Sequence, residues 1–236
     1  MRRLVLGDVH GGMKALEQVL ERASFNPKED QLISLGDLCD GWSESAAVVD
    51  YIMKLPNHVL VAGNHDYWAA EWLTGESARY IWTSQGGVAT IDSYKDYSHK
   101  EKKKHGEYLS EAKPYHIDEY NNLYIHGGFD WHYSIEDQDP YNLMWDRDLW
   151  NVALFWQKMI DNNAEAGSIK DYNKVFIGHT TTSRHNPALT PVKASNVWNI
   201  DQGAGWEGKL TLMDVQTENY WQSDIVKNLY PGVKGR

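Results

Sequence analysis

The chain has 236 residues, a net charge of −10 and hydrophobic residues at 42% of its positions. This length suits one large α/β domain or two small ones. The acidic balance argues against nucleic-acid binding, which usually requires a basic surface. No apolar run approaches the roughly 18 residues of a membrane-spanning helix, and Leu4–Leu6 is too short for the apolar region of a signal peptide. The single cysteine excludes an internal disulfide framework and indicates a cytoplasmic protein.

The first third of the chain alternates short apolar runs with amphipathic segments. We predict strands at Arg3–Gly7, Leu32–Leu35 and His58–Ala62. One helix should follow the first strand, and Ser43 is a plausible N-cap for another that ends at Leu55, before Pro56. This β-α-β-α-β order predicts parallel strands joined by right-handed crossovers.

The rest of the chain is predicted to complete the same single domain. From about Tyr67 to Ala112 it is rich in Trp, Tyr and charge, which indicates a helical insertion beside the site. A long helix should lie within Asn142–Ile160, and the glycines and proline of Tyr230–Arg236 predict a frayed tail in the segment after about residue 224. Further strands are predicted at Tyr115–Glu119, Leu123–His126, Lys174–Gly178, Val197–Asp201, Lys209–Val215 and Asn219–Gln222.

Apolar strands end five times in Gly or His and then present a side chain that can bind metal. These side chains are Asp8 with His10, Asp37, Asn64 with His65, His126, and His179. Open α/β sheets bind ligands at the carboxyl ends of their strands. Oxygen ligands mixed with imidazoles suit Mn²⁺, Fe or Zn²⁺ better than Ca²⁺. Seven groups exceed what one ion needs, so we predict two ions roughly 3.5–4 Å apart. Six other histidines lack this setting and are expected to be structural or surface residues: His58, His99, His105, His116, His132 and His185.

The same segments resemble the calcineurin-like metallophosphoesterases, and within them the bacterial and phage serine/threonine phosphoprotein phosphatases. The resemblance extends from about Leu4 to Val215. Thr181 stands where other branches of the superfamily have a further ligand histidine. The motifs that carry the resemblance are Gly7–Gly11, Gly36–Gly41, Gly63–Asp66, His126–Gly128 and Gly178–Thr180.

The resemblance implies an α/β fold with a two-sheet β-sandwich core of mixed sheets flanked by helices, and a binuclear phosphatase. Two divalent transition-metal ions are implied, with Mn²⁺ leading and Fe or Zn²⁺ as alternatives. Asp8, His10 and Asp37 would hold one ion; Asp37 (bridging), Asn64, His126 and His179 would hold the other. A metal-bridging hydroxide would attack phosphorus, His65 (oriented by Asp40) would protonate the leaving group, and Arg147 would bind the phosphoryl oxygens.

One position departs from the family pattern. Gly41 follows Asp40 where the family usually has an arginine, and Arg79 and Arg184 are candidates to replace that cation. The leading substrate is a phosphoserine or phosphothreonine protein. The alternative is a nucleotide or dinucleoside polyphosphate, and a third possibility is a catalytically inactive binding or scaffold module. Neither a nucleic acid nor a membrane is an expected partner.

Overall fold

The computed structural model describes residues 1–236 and contains two five-stranded sheets. Their order is β10-β9-β1-β2-β3 in the first sheet and β4-β5-β6-β8-β7 in the second, where the strands are β1 (Arg2–Leu6), β2 (Asp30–Ser34), β3 (His58–Leu60), β4 (Tyr115–Ile117), β5 (Asn122–Ile125), β6 (Lys174–Ile177), β7 (Val192–Ala194), β8 (Val197–Asn199), β9 (Thr211–Asp214) and β10 (Tyr220–Gln222). The strands β1, β2 and β3 are parallel, as are β5, β6 and β8. The strands outside these two groups pair antiparallel, so both sheets are mixed, as predicted.

Helices cover the outer faces of the sheets and fill the segment between β3 and β4. They are α1 (Met13–Arg22), α2 (Ser45–Met53), α3 (Asn64–Leu73), α4 (Tyr80–Trp82), α5 (Val88–Ser93), α6 (His99–Ser110), α7 (Pro140–Leu143), α8 (Asp148–Asp161) and α9 (Val226–Leu229), with a π-helical turn at Thr83–Gly87 and a 3₁₀ turn at Ile135–Asp137. Not one of these helices combines the length and the apolar character that crossing a membrane would require.

Three apolar cores separate the layers. Successive strand residues point to opposite faces, so Leu4 and Leu6 pack under α1 and α2 while Val5 faces the second sheet. There Val5 shares a core with Tyr124 and Phe176. A third core joins the far face of the second sheet to α8. The layers therefore run helix, sheet, sheet, helix, which confirms the predicted two-sheet sandwich.

Two local predictions differ from the structure. Helix α2 begins at Ser45, and its N-cap is Glu44 rather than Ser43. Ser45 is fully buried and its hydroxyl accepts the backbone N–H of Asp40 at 3.1 Å, so this serine holds the neighbouring loop. Strand β7 was not predicted, because its three residues include the exposed Lys193 and carry too short an apolar signal.

The prediction that Tyr230–Arg236 frays is wrong. The ring of Tyr230 is 3% exposed and stacks on Trp42, with ring centroids 5.2 Å apart. At the other end of the segment, the backbone N–H of Arg236 donates to the Gly205 carbonyl at 2.8 Å. The glycines and proline favour disorder only where nothing anchors the chain, and here a buried aromatic ring does so.

Candidate metal centre

The predicted ligands all lie at one edge of the sandwich, beyond the carboxyl ends of parallel strands. Asp8 and His10 follow β1, Asp37 follows β2, Asn64 begins α3 after β3, His126 follows β5, and His179 follows β6. Because the parallel strands of both sheets end at this edge, residues far apart in sequence converge there. All of these side chains are buried except that of His179, which is partly exposed.

The convergent side chains form two clusters that share one carboxylate. The ligand atoms of Asp8, His10 and Asp37 lie within 4.8 Å of one another, as do those of Asp37, His126 and His179. Oδ2 of Asp37 is 3.7 Å from Nε2 of His10 and 3.4 Å from Nε2 of His126. Oδ1 of Asn64 is 3.1 Å from the same His126 nitrogen. The Asp37 carboxylate therefore lies where it could contact two ions at once.

Backbone contacts orient two of the imidazoles toward the centre. Nδ1 of His10 is 3.1 Å from the Cys39 carbonyl oxygen, and Nδ1 of His126 is 2.7 Å from that of Leu35. A ring nitrogen that donates to a carbonyl leaves the other nitrogen as the free lone pair. Nε2 is thus the available ligand atom of both histidines.

Buried atoms without partners show that the donor set fits divalent cations. Oδ1 of Asp8, Oδ2 of Asp37 and Nε2 of His179 are buried and have no hydrogen-bond partner in the protein. Leaving such an atom unsatisfied costs about 1–3 kcal/mol. All three atoms belong to the two clusters, where coordinated cations would satisfy them.

The backbone is strained at four residues of this edge. His10, Asp37, Asp40 and His179 have φ values of 50°, 51°, 73° and 60°, in the left-handed region that non-glycine residues rarely adopt. Strain of this kind costs about 1–3 kcal/mol per residue and collects at functional sites. Here it turns several polar side chains toward a common centre.

Burial and mutual charge set the protonation of the clusters. Burial would raise the pKa of the Asp37 carboxyl, but the neighbouring His126 and His65 hold it well below its usual range. Burial, together with His126 and Arg147, lowers the pKa of His179 to about 2. Asp37 is therefore an anion and His179 a neutral imidazole at physiological pH, which are the forms of these two residues that bind metal. Although burial lowers the pKa of His126, the adjacent Asp37 raises it overall to about 9, so a metal ion at His126 would have to displace a proton.

His65 and Asp40 form a buried pair beside the clusters. Nδ1 of His65 lies 2.5 Å from Oδ2 of Asp40, while Nε2 of His65 is buried without a partner. The rings of His65 and His10 are 5.1 Å apart. Asp40 is fixed further by Nε1–H of Trp82 and the hydroxyl of Thr90, each donating at 2.7 Å. Sequence reasoning missed Trp82 and Thr90.

The loop between Asp37 and Asp40 is fixed from the first turn of α3. Oδ1 of Asp66 accepts the backbone N–H groups of Leu38 and Cys39 at 2.8 and 3.0 Å. Cys39 is fully buried, and burial, with Asp66 and Asp40 nearby, raises the pKa of its thiol well above its usual value. Cys39 is therefore an inert packing residue.

An open cavity of about 440 Å³ adjoins the clusters at His179. Arg147 lines it and donates to the Thr180 hydroxyl at 3.1 Å. Arg184 lines it too, but the other candidate cation, Arg79, pairs with Glu71 in a different surface depression. Three residues of the wall were missed from the sequence: His185, Trp206 and Arg236. They lie outside the regular helices and strands, where no strand end marks a site residue.

The arginines of this cavity differ from the rest of the chain in their pairing. Arg2, Arg3, Arg22 and Arg79 each pair with a carboxylate. By contrast, the three that line the cavity, Arg147, Arg184 and Arg236, have no carboxylate within 4.0 Å. Burial and the adjacent Arg236 lower the pKa of Arg147. Mutually repelling guanidiniums in an acidic protein make this cavity suited to an anion.

Comparison with known proteins connects this centre to a family. Residues 1–183 match the sequence model of the calcineurin-like phosphoesterases. The chain is similar to the asymmetrical bis(5'-nucleosyl)-tetraphosphatase PrpE of Bacillus cereus, with 25% identity over 230 residues that cover 89% of each chain.

Solved structures share the fold. A candidate diadenosine tetraphosphatase superposes with a TM-score of 0.64 and 18% identity, over 94% of this chain and 92% of the other. A serine/threonine phosphatase of Saccharomyces cerevisiae gives a TM-score of 0.63 and 14% identity, over 100% of this chain and 82% of the other. The family match covers most of the chain and contains all of the convergent ligands. The chain therefore belongs to the calcineurin-like phosphoesterase family and is a metal-dependent phosphoester hydrolase.

Proposed function

We propose that this enzyme hydrolyses nucleoside polyphosphates, with dinucleoside polyphosphates as the leading substrates. The sequence placed this reading second to a phosphoprotein phosphatase. Two observations favour it: the similarity to the PrpE tetraphosphatases along nearly the whole chain, and the chemistry of the cavity beside the metal centre.

The cavity carries the proposal. One phosphate monoester offers a dianion, whereas a polyphosphate chain offers several charges in a row, and Arg147, Arg184 and Arg236 together provide three unpaired guanidiniums. Trp206 on the same wall is 41% exposed, so its indole can stack on a nucleobase. Polyphosphate and base are thus matched by adjacent parts of one surface.

We assign the metal ligands as the sequence predicted. Asp8, His10 and Asp37 would hold one divalent ion; Asp37, Asn64, His126 and His179 would hold the second. Bound divalent ions supply Lewis-acid stabilisation of the phosphoryl group and lower the pKa of coordinated water. The backbone N–H of His65 donates to Oδ1 of Asp37 at 2.9 Å, whereas Oδ2 is buried without a hydrogen-bond partner and would be available to the metals.

His65 is assigned as the proton donor to the leaving group. Its Nε2 is the only one of its ring nitrogens not engaged by Asp40, and the ring lies against His10 at the edge of the centre. The Asp40 carboxylate holds Nδ1–H and thereby fixes the ring orientation. Arg147, anchored on Thr180, is assigned to bind the phosphoryl oxygens.

A phosphoserine or phosphothreonine protein is the second candidate substrate. The five motifs resemble that branch of the superfamily, and Arg147 and Arg184 are both exposed at the cavity mouth. A phosphate on a protein loop could therefore reach them.

A substrate panel tests the proposal. We would assay the Mn²⁺-supplemented protein on diadenosine tetraphosphate, ATP, a phosphoserine peptide and phenyl phosphate, with the Asp37→Asn variant as the matched blank. Two additional charge-assisted contacts of about 1.5 kcal/mol each correspond to roughly 100-fold in kcat/KM. We expect kcat/KM for the dinucleotide to exceed that for the phosphopeptide by about that factor. A higher kcat/KM for the phosphopeptide would refute the proposal.

A further inference from the structure

Gly41 packs against Arg236, a residue far from it in sequence. Its φ is +95°, and a Cβ built on it would lie 3.4 Å from the His10 carbonyl oxygen and 3.5 Å from the backbone nitrogen of Arg236. Gly86 forms the opposite wall, because a Cβ there would lie 3.1 Å from Cγ of Arg236. Arg236 thus occupies the region toward which a side chain at position 41 would project.

The backbone before this arginine is held independently of its guanidinium. The N–H of Arg236 donates to the Gly205 carbonyl at 2.8 Å. Gly235 packs so closely on Trp42 that a Cβ would lie 2.9 Å from the indole Cζ2. With Tyr230 stacked on the same indole, the course of the segment depends on packing. A change confined to the Arg236 side chain should therefore leave its backbone in place.

The guanidinium lies where the metal clusters meet the cavity. Nη1 is 3.3 Å from Nε2 of His10, and Nη2 is 3.5 Å from Oε1 of Gln85. The guanidinium carbon lies 5.5 Å from the ring centroid of Trp206. Arg236 is half-buried and lines the same cavity as Arg147. Its positive charge is thus partly shielded from solvent and forms no salt bridge with a side-chain carboxylate within 4.0 Å.

We infer that Arg236 binds a phosphoryl group of the substrate and replaces the cation that Gly41 lacks. A planar guanidinium can donate two parallel hydrogen bonds to phosphate oxygens. From its position Arg236 would contact the phosphate on the His10 side of the cavity that Arg147 also lines. The inference rests on the family and on this geometry, and it holds for any phosphate ester that the enzyme cleaves.

The test compares phosphate binding between matched arginine variants. Inorganic phosphate is titrated calorimetrically into metal-loaded wild type, Arg236→Gln, Arg236→Lys and Arg79→Gln. Arg79 is the control because it is an exposed arginine paired with Glu71 outside the cavity. We expect Arg236→Gln to raise the Kd for phosphate about tenfold, or about 1.4 kcal/mol. Arg236→Lys should lie between Arg236→Gln and wild type, and Arg79→Gln should match wild type. The KM for phenyl phosphate should rise in parallel, with a smaller change in kcat.

Three results would overturn the inference. The first is an unchanged phosphate Kd in folded, metal-loaded Arg236→Gln. The second is a rise in the kcat/KM of Arg236→Gln, which would mean that Arg236 obstructs the site. The third is a metal-loaded Arg236→Lys that binds phosphate no more tightly than Arg236→Gln. If Arg236→Gln does not retain metal, the phosphate Kd of Arg236→Lys is compared with that of wild type, and equal values would overturn the inference. No nucleotide is present in the titration, so this outcome is independent of the substrate panel.

Discussion

The Asp40 carboxylate can be changed to an amide with almost no change in shape. Its Oδ2 accepts Nδ1–H of His65 and Nε1–H of Trp82, and its Oδ1 accepts the Thr90 hydroxyl. In Asp40→Asn the amide oxygen can keep the first two donors, while the amide NH₂ faces the Thr90 oxygen, which can accept. The substitution therefore removes the negative charge and leaves the geometry in place.

The magnitude follows from the loss of charge. A hydrogen bond to a charged group contributes about 1.5–3 kcal/mol, and a neutral one about 0.5–1.5 kcal/mol. A difference of about 1.4 kcal/mol is roughly tenfold in rate. We expect Asp40→Asn to lower kcat about tenfold when the leaving group needs a proton. Removing the donor itself in His65→Asn should cost roughly 10²–10⁴-fold.

The assay uses two leaving groups. An alkyl phosphate needs protonation as it departs, and p-nitrophenyl phosphate hardly does, so the losses in both variants should be large for the first and small for the second. Asp50→Asn, a change at a surface aspartate paired with Lys54, is the matched control. Metal content is measured in each protein. Equal losses on both substrates, with metal retained, would refute the role of His65 as the acid.

Three further predictions follow from the same contacts. Asp37→Asn should abolish activity and leave at most one ion per chain by elemental analysis, because Oδ2 of Asp37 serves both clusters; retention of two ions would contradict the bridging assignment. Arg147→Ala should raise KM about tenfold through the loss of one charge-assisted contact, with an unchanged Tm; an unchanged KM would remove it from substrate binding. Although burial raises the pKa of the Asp118 carboxyl, hydrogen bonds from Asn122 and Tyr124 lower it overall. The ionised carboxylate therefore stabilises the folded protein above pH ~4, and this stabilisation is lost as pH falls through the pKa of the folded state. Asp118→Asn should cost about 1 kcal/mol at pH 7, and the Tm difference from wild type should shrink toward pH 3; a constant difference would contradict it.

The strand-end ligands could be predicted because the sequence directly before each one carries the signal of a strand end. A short buried run followed by glycine, as at Ile33–Gly36, identifies both the strand and the residue at its carboxyl end. The parallel order of β1, β2 and β3 then brings Asp8, Asp37 and Asn64 to one edge. Patterns of a few residues therefore predict both the fold and the convergence of the ligand side chains at one edge of the sheet.

The residues that hold the site's side chains in place could not be predicted, because their contacts join segments far apart in sequence. Trp82 and Thr90 reach Asp40 from a helical segment in which periodicity indicates helices but not what they contact. Arg236 was missed for the opposite reason. Its glycine-rich neighbourhood predicts disorder, and only contacts distant in sequence, with Trp42 and Gly205, hold it at the site.

We propose that two divalent ions, held by the strand-end ligands, are required for hydrolysis. The most direct measurement titrates metal-free protein with Mn²⁺ and follows bound metal together with the rate of diadenosine tetraphosphate hydrolysis. We predict that binding saturates at two ions per chain and that the rate of hydrolysis rises as the second ion binds. Full activity with one ion per chain, or activity that survives complete chelation, would contradict it.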